Sequence, residues 1–173
     1  NIFGQVIRYD EGGYEGIAFN DVYSSLQWAG IKIVAQDSMM LTGIQTVFPP
    51  TSWSWDVNDY SVKIWEGWSQ NKPLELLFQF SENVIWNPDS YRDGGWVFIS
   101  LVGEQIYLNK GETYYIEINY NGEGGVYPFD KGIYSNSMSS NMSYFRGNSN
   151  ESCSPLSSIS SASNADWNIR AVV

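Results

Sequence analysis

Rings and carboxylates are the only side chains in this sequence whose number and spacing suggest chemistry. Eight Trp, twelve Tyr and eight Phe make 16% of its 173 residues, more than a core of this size requires. Trp53 and Trp55 stand two apart, so on an extended chain both side chains point the same way. Trp65 and Trp68 follow, and Tyr115 lies in an alternating run beside Glu117 and Asn119. A sugar ring lays its C–H face on Trp or Tyr while polar neighbours take its hydroxyls. Trp53, Trp55, Trp65, Trp68 and Tyr115 are therefore the predicted ligand-binding residues, with a glycan as ligand. Trp167 and Tyr114 read as core instead.

Oxygen ligands cluster in Asp56-Val57-Asn58-Asp59 and in the segment from Asn87 to Asp93. Asp56, Asn58, Asp59, Asp89 and Asp93 supply the hard donors that calcium takes. Asp10 and Glu11 with Asp130 or Asp166 are a further combination. None has EF-hand spacing, and Asp and Asn also cap turns without any metal. Calcium is thus the one cofactor the sequence admits, and a chain with no cofactor is the alternative.

Catalysis is not expected. There is no histidine, which removes the usual base for a serine or cysteine nucleophile. Gly122-Glu123-Gly124-Gly125 carries an acid and lacks the lysine of a phosphate-binding loop. A two-carboxylate glycosidase is the enzyme class worth testing. Glu112-Thr113-Tyr114-Tyr115-Ile116 resembles the Glu-Tyr-Tyr strand of the family 11 xylanases. Retention requires a second carboxyl about 5 Å away, which that family takes from a glutamate near the C-terminus. Here the last glutamate is Glu151, and the terminal run offers only Asp166.

Nine Lys and Arg against nineteen Asp and Glu give a net charge of −10. That field repels nucleic acid and anionic lipid headgroups. No run reaches the roughly 18 apolar residues of a spanning helix, so membrane insertion is not expected. The lone cysteine, Cys153, excludes an internal disulfide and a thiolate metal cage. The length suits one domain over residues 1–173.

The elements that must position the rings are strands. Tyr114, Ile116, Ile118 and Tyr120 share one face of an alternating run, and Trp167, Ile169, Ala171 and Val173 share another. Val62 and Ile64 facing inward would turn Trp65 outward, with Trp68 following in a loop; Tyr115 falls on the outer face of its strand. Trp96 and Phe98 oppose Val97, Ile99 and Leu101. Turn signals such as Pro49-Pro50, Asn71-Lys72-Pro73 and Asp93-Gly94-Gly95 separate the runs. Residues 135–163 hold thirteen Ser and read as a long internal loop with one short strand around Met142 to Phe145. The expected fold is all-β, a jelly-roll-like sandwich, with Tyr114, Ile116, Ile118, Trp167 and Ile169 buried.

Four segments in order resemble a family: Tyr60-Ser61-Val62-Lys63-Ile64-Trp65, the segment Gly95 to Leu101, Lys110 to Ile116, and Asp166 to Ala171. Tyr127-Pro128-Phe129-Asp130-Lys131-Gly132 adds a fifth. Together they are similar to jelly-roll accessory domains of large secreted or surface-exposed bacterial proteins, especially those of gliding-type bacteria. The resemblance covers roughly residues 20–173. It implies a non-catalytic module that accompanies proteases, glycosidases or adhesins, and it supplies no binding residues. The expected function is a secreted or cell-surface binding module, carbohydrate-binding or adhesive, whose partner is a glycan or a surface protein. Other domains of a larger secreted protein are further expected partners. The alternative is a structural surface or assembly subunit using the same rings for protein contacts.

Overall fold

A computed structural model describes residues 5–8, 15–18, 27–47, 57–83, 96–122, 126–131, 142–148, 150–159 and 165–173. In chain order the strands are β1 (Val6–Ile7), β2 (Glu15–Ala18), β3 (Trp28–Val34), β4 (Met39–Leu41), β5 (Gly43–Val47), β6 (Val57–Ser69) and β7 (Lys72–Asn83). There follow β8 (Trp96–Ser100), β9 (Ile106–Leu108), β10 (Thr113–Gly122), β11 (Val126–Lys131), β12 (Ser143–Arg146), β13 (Ser154–Pro155), β14 (Ala165–Trp167) and β15 (Ile169–Val172). A single 3-10 turn, Leu156–Ser158, is the helical element among the described residues.

Two sheets form the sandwich. The larger has the order β13-β12-β3-β10-β6-β7 and the smaller β1-β15-β5-β8. A three-stranded sheet, β14-β11-β2, and a two-stranded one, β4-β9, complete the described structure. The described pairs bordering the larger sheet's centre are antiparallel, with Ile116 opposite both Ile31 and Ile64. Because alternate residues face alternate sides, that register stacks apolar positions of three strands into one layer.

Ala29, Ile31, Ile33, Val62, Ile64, Tyr114, Ile116, Ile118 and Tyr120 from the larger sheet meet Ile44, Ile99, Ile169 and Ala171 from the smaller in one core. Tyr114, Ile116, Ile118, Trp167 and Ile169 are all fully buried, as the alternation requires. The core also holds a polar tie between sheets: Tyr120 Oη and Thr46 Oγ1 are 2.5 Å apart, and Thr46 Oγ1 also donates to the Asn168 carbonyl. A buried hydroxyl needs such a partner, since leaving it unmet costs about 1–3 kcal/mol.

Two backbone features shape the β6–β7 hairpin. Its tip is a two-residue turn at Gln70 and Asn71, both at positive φ (50° and 57°), which suits the twist of the flanking strands. Ser69 pairs with Lys72 across it. The turn therefore sits one residue earlier than the Asn71-Lys72-Pro73 signal suggests. Lower in the hairpin the register shifts between Ile64 and Trp65, with Ile64 opposite Phe78 and Trp65 opposite Leu76. Leu77 is the extra residue of a β-bulge, a device that re-aims nearby side chains.

Candidate functional site

The candidate site is the outer face of the larger sheet, on the side away from the core. Register brings its residues into rows. Lys32, Tyr115, Trp65 and Leu76 lie side by side across β3, β10, β6 and β7. In the next row Tyr144 of β12 adjoins Gly30, then Glu117, Lys63 and Gln79. Arg146 adjoins Trp28 one row further on.

Gly30 makes this face possible. A Cβ on it would stand 2.5 Å from Cζ of Tyr115 and 2.7 Å from the Ile116 carbonyl oxygen. With no side chain there, the hydroxyl end of the Tyr115 ring sits over Gly30, and Arg146 reaches across to Glu117. Arg146 Nε donates to Glu117 Oε2 at 2.9 Å and its Nη2 donates to Oε1 at 2.5 Å. Both partners are fully buried at the side chain. Trp65 Nε1 donates to the same Oε1 at 2.8 Å, so one carboxylate orients both a guanidinium and an indole. Burial works against the Arg146 charge, but the hydrogen bonds and charge of Glu117 outweigh it and raise its pKa.

Cations stand over the rings. Lys63 Nζ is 4.2 Å from the Trp28 ring centre and 6.0 Å from that of Trp65. Arg146 Cζ is 5.1 Å from the Trp65 centre. Lys32 Nζ lies 5.5 Å from Trp68 and 5.2 Å from Tyr144, and donates to the Tyr144 hydroxyl at 3.2 Å. These are cation–π distances. Loss of hydration lowers the Lys63 pKa, with Arg146 adding to that effect and Glu117 opposing it. Trp65, Trp68, Lys32 and Lys63 all remain partly exposed.

Trp65 lies opposite Val62 and Ile64 in facing, as its phase predicts. Trp68 is not in a loop: it belongs to β6 and pairs with Pro73. Strict alternation would send it to the core side. Gly67, at φ +78°, interrupts the alternation, and Trp68 packs on Tyr115 and Tyr144 with ring centres 5.1 and 4.8 Å apart.

Tyr115 corrects the expectation of an exposed ring. It points away from the core as expected, but it is 0% exposed, buried in a second cluster with Tyr144 and Cys153 beneath Trp65 and Trp68. The reason is the Ser-rich segment. Its described part is more than a loop: β12 adds to the sheet edge, β13 pairs with β12, and Cys153, Leu156 and Ile159 are buried. The Cys153 N–H donates to the Asn71 carbonyl at 2.7 Å, fastening this cover to the hairpin tip. Tyr115 is thus the support on which Trp68 rests.

Cys153 and Tyr115 report that packing through pH. Burial pushes the Cys153 thiol from 9.0 up to about 11, the Arg146 charge opposing the rise. Burial, with the Cys153 and Glu117 charges, raises the Tyr115 phenol well above its usual value. An acid whose folded pKa exceeds its unfolded one gives stability that is complete below the unfolded pKa and lost as pH climbs towards the folded one. Stability to urea should therefore fall from about pH 9 to pH 11 through Cys153, and from about pH 10 upward through Tyr115, by up to roughly 1.4 kcal/mol per pH unit for each group. Cys153→Ala should flatten part of that slope; equal slopes in both proteins would refute the assignment.

Trp53, Trp55, Asp56, Asp89 and Asp93 lie outside the described residues, as does the side chain of Asn58. Asp59 is half-buried, and its Oδ1 has no hydrogen-bond partner among the described residues. No group of three or more His, Cys, Asp or Glu stands ready for a metal among those residues. Glu112 is exposed in the turn before β10. Trp28, Lys32, Lys63, Glu117, Tyr144 and Arg146 were not foreseen as site residues. Their signal was present as Trp28-Ala29-Gly30-Ile31-Lys32 and Tyr144-Phe145-Arg146, in which every second residue faces outward.

No protein-family model matches the chain, and no curated protein matches it in sequence. Solved structures do match in fold. A clostridial cysteine protease, Cwp84, after propeptide cleavage superposes with a TM-score of 0.65 at 12% identity, over 99% of this chain and 40% of that one. The cysteine protease and lectin-like domains of Cwp84, a surface layer associated protein of Clostridium difficile, superpose with a TM-score of 0.60, also at 12% identity, over 99% and 36%. The chain thus spans well under half the length of the proteins it matches, and at this identity the likeness establishes an all-β, sandwich-like fold shared with part of a surface-associated protein.

Proposed function

We propose that this chain is a non-catalytic carbohydrate-binding or adhesive domain of a secreted or cell-surface protein. Its binding surface is the outer face of the larger sheet, with Trp65 and Trp68 as the contact rings. The observation that carries this reading is the pair of half-exposed indoles held in place from below. Trp65 is oriented by Glu117, and Trp68 rests on Tyr115 and Tyr144. Rings fixed in advance lose little freedom on binding. On the same face Gln79 stands one row from Trp65, and Asn119 and Ser61 two rows away, as groups able to meet hydroxyls. The lectin-like domain named in one structural neighbour supports the same direction. A location within a larger polypeptide, beside other domains, is part of the proposal.

A glycan array probed with the native chain, in calcium and again with a chelator, tests it. The expected result is binding to a defined glycan set, reduced by up to about tenfold by Trp68→Ala, since one ring contact is worth up to roughly 1.5 kcal/mol. Unchanged circular dichroism would show that the variant is folded. A blank array, or full binding by the folded variant, refutes the reading.

The second reading, an assembly subunit, rests on a different surface. Leu74 is 61% exposed, and Leu76 and Leu77 are 38% exposed, on β7 at the sheet's edge. The Leu77 bulge and the glutamates Glu75 and Glu82 on that strand weigh against edge-to-edge pairing.

A further inference from the structure

On one side of the sandwich each sheet ends in a strand with no described neighbour beyond it, β7 in the larger and β8 in the smaller. Sheets normally blunt such an edge with charge, proline or a bulge. β7 has the Leu77 bulge with Glu75 and Glu82. β8, Trp96-Val97-Phe98-Ile99-Ser100, has no charged residue and no proline. Its main chain is open along that side. The Leu101 N–H donates to the Thr42 carbonyl at 2.9 Å, and ladder bonds alternate along an antiparallel pair. Ile99 therefore turns its backbone groups to β5 as well, while Phe98 and Ser100 turn theirs outward.

That edge opens onto a cleft of about 300 Å³. Tyr60, Phe78 and Phe80 line its far wall from the core side of β6 and β7, with successive ring centres 5.9 and 5.7 Å apart. Glu82 and Glu104 also line it, and both are exposed. Glu82 accepts from the Tyr60 hydroxyl at 3.1 Å, but neither glutamate has an ion-pair partner among the described residues. Phe78 and Phe80, unlike the rings of the outer face, have no cation over them among those residues. Rings beside uncompensated carboxylates suit an organic cation. Pockets for small molecules begin at roughly 300 Å³, so this cleft suits one side chain rather than an oligosaccharide.

The geometry points to a second binding site, apart from the outer face of the larger sheet: an extended basic peptide adds as a strand along β8 and sets a lysine or arginine side chain into the cleft. Main-chain hydrogen bonds to Phe98 and Ser100 hold the peptide, and the rings with Glu82 and Glu104 select the cation. The net charge of −10 attracts a basic partner to this edge and repels a second copy of the chain.

An NMR titration of the nitrogen-15-labelled native chain tests this. The probe is an acetylated and amidated heptapeptide of alternating threonine and valine, with lysine in place of the central valine. Amide shifts should concentrate on β8, at Phe98 and Ser100. Norleucine in place of the lysine should weaken binding about tenfold, the worth of one charge-assisted contact. That preference should shrink as salt rises towards about 1 M, where the screening length falls to roughly 3 Å. Free n-butylammonium, which lacks the main chain, should bind about tenfold more weakly than the lysine peptide. Glu82→Gln and Glu104→Gln should each weaken the lysine peptide and leave the norleucine peptide unchanged. The peptide arms use native protein, so they decide even where a variant folds poorly. Absent binding, shifts away from β8, or equal affinity for the norleucine peptide overturns the inference. So does n-butylammonium binding as tightly as the peptide, which would make the ligand a free amine. Concentration-dependent shifts at β8 without peptide overturn it too, in favour of a second copy. Each of these outcomes leaves the glycan reading standing, because the cleft shares no residue with Trp65, Trp68 and their supports.

Discussion

Arg146→Met should cost roughly 3–5 kcal/mol of folding stability, because it strands a charge inside the protein. Glu117 is 0% exposed and, among the described residues, keeps the Trp65 indole hydrogen bond and the nearby Lys63 charge once the guanidinium is gone. Removing water from an ion is expensive, and the attraction of the partner offsets that cost only while the partner is present. The loss should not come from shape alone, since Met fills much of the arginine stem's volume. A double-mutant cycle separates the two contributions. Glu117→Gln alone should also destabilise, by leaving Arg146 charged and buried. Glu117→Gln with Arg146→Met should recover a large part of the combined loss, because neither charge is then stranded. Urea unfolding followed by tryptophan fluorescence reads all four proteins. Additive losses, or a single-variant cost below about 1 kcal/mol, would show that the pair is solvated or slack.

This pair also marks the boundary of what the sequence could disclose. The alternation in Thr113–Gly122 was enough to place Tyr114, Ile116, Ile118 and Tyr120 in the core, because period-two patterning is a local property of the chain. The same pattern correctly set Tyr115 and Glu117 on the opposite side. It could not tell that the opposite side would be covered, since the cover comes from Ser143–Arg146 and Cys153, more than two dozen positions later in the chain. Arg146 and Glu117 lie 29 residues apart, and nothing local to either announces the other. Trp68 failed for another reason. Its facing depends on the positive φ of Gly67, and a glycine permits that conformation without demanding it. The serine-rich composition of residues 135–163 suggested a loop, whereas Leu156 and Ile159 are buried by apolar residues too sparse to show a period.

Trp167→Ala should cost about as much, roughly 3–5 kcal/mol, and should damage the outer face from within the core. Trp167 is completely buried and is bonded on two sides. Its Nε1 donates to the Tyr144 carbonyl at 2.7 Å, and its backbone N–H donates to Ser143 Oγ at 3.1 Å. Ser143 Oγ in turn donates to Asp166 Oδ1 at 2.7 Å. Both acceptors belong to β12, the strand that carries Tyr144 and Arg146 to the other side of the sheet. Truncation therefore opens a cavity on one face and frees a carbonyl in the strand that frames the other. Trp167→Phe distinguishes these effects, since it keeps most of the ring and loses the indole donor; it should cost nearer 1–2 kcal/mol. Hydrogen exchange should show faster opening at Tyr144 and Arg146 in both variants, with the larger change in Trp167→Ala. If Trp167→Ala unfolds within about 1 kcal/mol of the native chain, or leaves exchange at β12 unchanged, then β12 is held by its strand pairing and the link from core to outer face is broken.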